Sequence, residues 1–314
     1  MYVFSFFREL APALHLAIST DMRKWTELNK QEPVIWSNVG AKYWRDPFII
    51  KGKDGVFHLL CTDGWESRDI IHATSTNLVD WNHQDVIPVM GGYPTARNAW
   101  APEACLDERS GNYFIFWSST VDAAFPGDKG KPDDYMNHRI YGSTTSDFKR
   151  FSPSKPFFDP GYNCIDASIS YHDGTYLMAF KDERGENSYK PNELARKHVL
   201  VARARSLDGP WEVERRPISR TRIVDGEGNQ KETWAEGPCV LFDKVSREWW
   251  IFFEYFRSHR YGGARSKDGI TWQDIGDTLH FPPHAKHGTI FEVQDRAVIE
   301  ALEGINLPYN EFFW

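Results

Sequence analysis

A short apolar strand that ends in a Ser/Thr-rich turn and leads to an aromatic residue recurs five times in this chain. The copies read LHLAISTDMRKW, IIHATSTNLVDW, IYGSTTSDFKRF, VLVARARSLDGPW and YGGARSKDGITW. Their hydroxyl residues are Ser19, Ser75, Thr145, Ser206 and Ser266, and the aromatic (Trp25, Trp81, Phe151, Trp211, Trp272) follows six residues later, or five in the fourth copy. Successive copies lie 56, 70, 61 and 60 residues apart, room for one four-stranded blade each. Short alternating strands with polar turns at this period argue for a radial β-propeller over a sandwich or a helical solenoid.

The expected fold is therefore all-β, a five-bladed β-propeller forming a single domain over residues 1–314. The first copy has only YVFSFF ahead of it, one strand too few, while KHGTIFEV stands beyond the last copy. A C-terminal strand over residues 287 to 294 joining the N-terminal blade closes the ring and removes two open sheet edges.

The inner strands should begin RDPFII, APEACL, DASISY, EGPCVL and HGTIFE. Inner strands surround the axis and start at one face, so their leading polar residues, Asp46, Glu103, Asp166, Glu236 and His287, are expected to ring one mouth. Carboxyls crowded in one pocket spread their pKa values, so that one stays protonated while another is ionised. Acid/base cleavage of a glycosidic bond needs that pair, roughly 6.5–9.5 Å apart in an inverting enzyme.

At these residues the sequence resembles glycoside hydrolase family 43, the five-bladed arabinofuranosidases, β-xylosidases and arabinanases. The motifs W-R-D-P, W-A-P, I-D-A-S and A-E-G-P occur in order at blade-like spacing. The resemblance implies Asp46 as general base, Asp166 as the carboxylate that modulates and orients the acid, and Glu236 as general acid. It also implies an inverting mechanism with no required cofactor. His287, in the His-Gly turn, matches the family's axial histidine, which lies beside a structural calcium or a water cluster. Calcium prefers oxygen, so His287 would hold it through water. Glu103 departs from the family pattern and is expected to meet a sugar hydroxyl or an axial ion or water.

Thirteen Trp among 15% aromatic residues suit a sugar-binding protein. Trp44, Trp100 and Trp234, each just ahead of a ring carboxylate, are the candidate sugar contacts, while the Trp residues of the repeats read as packing. Arg45, Arg257 and Arg260 are candidate hydroxyl donors. The long polar segments 119–138 and 182–197 are expected to wall the mouth and favour removal of terminal sugars. Arabinofuranose, xylose or galactose would each fit. The expected partner is thus a plant-type oligosaccharide.

A net charge of −7, with no basic block, argues against a nucleic-acid or anionic-membrane partner. Cys61, Cys105, Cys164 and Cys239 lack metal-site spacing and read as buried thiols. MYVFSFFREL has neither a basic start nor a cleavage site, which points to the cytoplasm, although a secreted chain trimmed of its leader reads the same way. The oligomeric state is not legible. Competing readings are a retaining fructosidase-like propeller, for which no Asn-Asp-Pro-like turn stands upstream of Asp46, a phosphorolytic propeller, and a propeller that binds sugars without cleaving them.

Overall fold

The computed structural model of the protein describes residues 1–126, 136–184, 197–220, 223–224, 230–231 and 234–305. Five four-stranded antiparallel sheets are arranged as blades. From the axis outward, blade I consists of Lys286–Glu292, Tyr2–Arg8, Ala11–Ser19 and Thr26–Glu27. Blade II is Trp44–Lys51, Phe57–Asp63, Ile70–Ser75 and Trp81–Ile87. Blade III is Trp100–Leu106, Tyr113–Thr120, His138–Thr145 and Lys155–Phe158. Blade IV is Cys164–His172, Thr175–Asp182, Val199–Ala204 and Glu212–Val213. Blade V is Ala235–Asp243, Glu248–Tyr255, Arg260–Ser266 and Gln273–Asp274.

The ring closes as expected: Lys286–Glu292 pairs antiparallel with Tyr2–Arg8, from Tyr2↔Glu292 to Phe7↔Lys286. Gly288 is obligatory there, since a Cβ would lie 1.7 Å from the Ser5 carbonyl oxygen. Inner strands neighbour one another in the order I to V and back to I. Each of five apolar clusters fills one interface between adjacent blades. A helix, Arg296–Gly304, is capped by Asp295 accepting from the Ala297 N–H and sets Val298 and Leu302 into the blade I/II cluster.

The five repeats are one turn. In each, the hydroxyl at the strand end accepts a backbone N–H two or three residues on, as Ser75 does from Asn77 and Leu78. The third residue after it is left-handed in every copy: Met22, Leu78, Phe148, Gly209 and Gly269. That shared geometry explains the near-constant gap to the aromatic. All four cysteines are free and buried. No helix among the described residues is long and apolar enough to cross a membrane.

Candidate active site

The inner strands of blades II to V share a β-bulge at the axial end. Strand register breaks between Arg45 and Phe48, Trp100 and Glu103, Ile165 and Ser168, and Glu236 and Cys239. Within each break one residue is left-handed: Asp46 (φ 51°), Ala101 (48°), Asp166 (55°) and Gly237 (56°). In three of the four, proline follows, a residue without an N–H that fits a bulge because the ladder asks no donor of it there. The D-P, A-P and G-P pairs of the sequence are thus bulge markers.

This register corrects the alignment of leading polar residues. The equivalent positions are Asp46, Ala101, Asp166 and Gly237, so Glu236 stands one residue before its bulge residue and Glu103 two after. Glu103 is consequently set back along its strand and is 3% exposed. Burial pushes its carboxyl up to about 8, against the His287 charge and a hydrogen bond from Ser168. It is a protonated, buried group and not a mouth residue.

Asp46, Asp166 and His287 do converge. His287 Nδ1 lies 3.4 Å from Asp46 Oδ1 and 4.0 Å from Asp166 Oδ2. Burial opposes the charge on His287, but bonding to Asp46 and the nearby carboxyls outweighs it and raises the imidazole to about 9. Burial opposes the charge on Asp46, yet its carboxyl is held below the usual range by His287, Arg45 and the Thr62 hydroxyl, which donates to Oδ2 at 2.7 Å. Asp166 is raised to about 6, by burial first and by Glu236 among its neighbours. It accepts the Gly237 N–H at 3.1 Å and so touches the backbone beside Glu236. Gly237 admits no side chain, because a Cβ would stand 2.7 Å from His287 Cγ. Glu236 has the most accessible side chain of the set, at 25% against 10% for Asp46 and 8% for Asp166. Its Oε2 accepts from Lys181 Nζ at 2.9 Å.

Among the described residues, no group of three His, Cys, Asp or Glu side chains is placed to hold a metal ion. The axial carboxyls already face a cation, the His287 imidazolium. The residues therefore do not fit a calcium ligated directly by protein groups.

Of the aromatic candidates, Trp44 is a correction: it is fully buried in the blade I/II cluster. Side chains alternate along a strand, and here Trp44 enters the core while Arg45 turns to the mouth. Arg45 lies 3.9 Å over the Trp65 ring and 4.6 Å over Phe7, and its Nη1 is 3.0 Å from both Glu9 carboxylate oxygens. Trp100 is partly exposed, donates its indole N–H to the Trp65 carbonyl at 2.8 Å and meets the Trp65 ring edge-on. Trp234 is partly buried under the Arg257 guanidinium at 4.2 Å. Arg260 is exposed at the start of its strand, with its charge acting on Asp277 and Tyr255. Most of the expected wall segments, residues 127–135 and 185–196, lies outside the described residues.

Sequence reasoning missed Thr62, Trp65, Lys181 and Glu254. Trp65 is 53% exposed beside Arg45 but sits in a turn with no motif. Thr62, Lys181 and Glu254 are polar residues near the ends of apolar second strands (LLCTD, LMAFKD, WIFFEY), and aligning those strands would have found them. Glu254 is raised to about 7 by burial and by Glu236, although Lys286 Nζ donates to it at 2.6 Å.

A family model described as "Probable glycosyl hydrolase domain", of the glycosyl hydrolase 43-related type, matches residues 1–298. The chain belongs to this family of glycosidases. An α-L-arabinofuranosidase of Bifidobacterium longum subsp. longum is 27% identical over 179 residues, a match covering 50% of this chain and only 17% of that relative. Among solved structures, a thermostable family-43 glycoside hydrolase superposes with a TM-score of 0.52 at 17% identity, covering 77% of this chain and 75% of its own. An α-L-arabinofuranosidase from Lactobacillus brevis gives 0.52 at 17%, covering 78% and 74%. A family 43 enzyme from Xanthomonas citri complexed with xylose gives 0.52 at 16%, covering 74% and 73%. At such identities the superpositions establish the shared five-bladed fold.

Proposed function

We propose that the protein is an inverting, exo-acting glycosidase that removes terminal α-L-arabinofuranosyl or β-D-xylosyl residues from oligosaccharides. The observation that carries this reading is the division of labour in one mouth. Asp46 is held ionised by His287, Arg45 and Thr62, and Glu236 is the accessible carboxyl, next to the Gly237 N–H that Asp166 accepts.

In the proposed reaction Asp46 takes a proton from water as the water oxygen bonds to the anomeric carbon. The bond from that carbon to the glycosidic oxygen breaks, its electron pair goes to the oxygen, and Glu236 supplies the proton. Asp166, bonded to the backbone at residue 237, orients Glu236. Trp100 and the Arg45-backed face of Trp65 offer aromatic surface for the sugar. The choice of pentose is supported by the relatives named above, and terminal action by the long polar segments 119–138 and 182–197. No step uses a metal. Chelation should leave kcat/KM within about twofold.

The test is hydrolysis of aryl α-L-arabinofuranoside, β-D-xyloside and β-D-galactoside by the wild type, Asp46→Asn and Glu236→Ala. Turnover of a pentoside that collapses in both variants is the expected result. Turnover of the galactoside alone would overturn the sugar, and activity surviving either substitution would overturn the acid/base assignment.

A further inference from the structure

The second strands of blades II to V carry a polar, buried residue opposite the inner-strand start, in the pairs Arg45↔Thr62, Trp100↔Ser118, Ile165↔Lys181 and Glu236↔Glu254. Each reaches the inner strand of the next blade. Thr62 Oγ1 accepts the Ala101 N–H at 2.7 Å, Ser118 Oγ accepts the Asp166 N–H at 3.0 Å, and Glu254 accepts the His287 N–H at 3.3 Å. These three staple backbone to backbone across the blade boundary. The fourth cannot do so, because an ammonium has no acceptor for a peptide N–H. Lys181 donates instead to the side chain of Glu236, at 2.9 Å.

Lys181 is held in place from behind. Its Nζ lies 2.7 Å from Glu183 Oε2, and Lys197 Nζ donates to Glu183 Oε1 at 2.7 Å. The ammonium also sits 4.7 Å from the Phe256 ring centre, and the residue is 2% exposed. A buried cation fixed on its far side cannot swing away from Glu236. Its interaction with that carboxyl strengthens as negative charge develops there, since the ammonium then faces an anion and not a neutral carboxyl. An interaction that is stronger in the transition state than in the ground state raises the rate.

We infer that Lys181 is a positioning residue for proton delivery: it holds the Glu236 carboxyl at the leaving group and compensates the charge left when the proton passes to the glycosidic oxygen. The inference rests on Glu236 being the general acid. The bonds made and broken are those of the reaction above, and Lys181 keeps its own protons throughout.

Leaving-group dependence tests this. A dinitrophenyl group departs without proton assistance, whereas an alkoxide requires it. Lys181→Met, nearly isosteric and neutral, is compared with the wild type on the dinitrophenyl and the methyl glycoside of the pentose that is turned over. The expected loss in kcat/KM is about 100-fold on the methyl glycoside, within the range of general-acid assistance, and under about fivefold on the dinitrophenyl glycoside. The fall on the methyl glycoside should lie in kcat. The ratio of the two rates is taken on one preparation, so a reduced folded fraction cancels. Lys181→Arg should recover part of the methyl glycoside rate. Equal losses on both substrates would overturn the role of Lys181. Glu236→Ala, run in parallel, separates the two layers: if it also loses both substrates equally, the acid assignment fails; if it spares the dinitrophenyl glycoside while Lys181→Met does not, only the inference fails.

Discussion

At the outer turns of the five blades, a Ser or Thr at the strand end and an Asp or Asn two residues later recur, ahead of a left-handed position that holds Met, Leu, Phe or Gly. At the axial ends of the inner strands, a left-handed bulge residue recurs in four blades, but its identity changes from Asp to Ala to Asp to Gly. Both regions reuse one backbone device. The turn keeps its chemistry because its side chains satisfy its own backbone, whereas the N–H groups of the bulge residues Ala101, Asp166 and Gly237 are taken by side chains of the preceding blade, Thr62, Ser118 and Asp166, so the bulge asks nothing of its own side chain. A repeated backbone with released side chains is what lets five similar blades build one asymmetric site.

Substitutions in the two regions should therefore differ in kind. Asp46→Asn and Glu236→Ala should lower kcat/KM by about 10³-fold or more, within the span of acid/base assistance, and Asp46→Asn should also lower the unfolding midpoint, because it takes the nearest carboxylate from the buried His287 imidazolium. An outer-turn change with an equal effect on catalysis would dissolve the distinction. Next come two glycines, both left-handed. Gly237→Ala strains the backbone and drives a methyl into His287, so it should cost about 3 kcal/mol in urea unfolding and most of the activity. Gly269→Ala, where the nearest atom is 3.5 Å away, should cost about 1 kcal/mol and leave kcat/KM intact. Smaller still, Ser75→Ala removes a turn bond to two N–H groups and should cost about 1 kcal/mol or less, again with activity unchanged.

The histidines extend the contrast to pH. His72, His138 and His198 are pushed by burial from the ordinary 6.5 down to about 4. The stability they contribute is present above 6.5 and is lost as pH falls towards 4. His287 has the opposite sign: raised to about 9, it contributes stability that is full below 6.5 and fades as pH rises through 9. Urea midpoints measured from pH 4 to 10 should fall at both ends, and His287→Gln should reduce the alkaline fall, the rest of which comes from the thiols of Cys61, Cys105, Cys164 and Cys239, pushed up by burial. An alkaline fall left unchanged in this variant would contradict the axial imidazolium.

Blade number and ring closure were legible because the turn depends on short-range bonds, which leave a fixed spacing from Ser19 to Trp25 and its four counterparts. Asp46 and Glu236 were legible through the proline and glycine that their bulges require, and Asp166, followed by Ala167, through its place at the start of an inner strand at blade-like spacing. Glu103 was misaligned because the bulge residue of its blade is Ala101, which carries no charge to mark the place. Trp44 was misassigned since proximity to Asp46 in sequence says nothing about which face of the strand a side chain takes. Lys181 and Glu254 escaped notice because their meaning lies in the pairing across strands, which no single segment displays.

The most direct measurement is ¹H NMR of the sugar first released from the hydrolysed pentoside, taken before mutarotation. With Asp46 activating water on the face opposite the group that Glu236 protonates, the first-formed product carries the inverted anomeric configuration. Release of the sugar with retained configuration would contradict the assignment of Asp46 as a base acting on water.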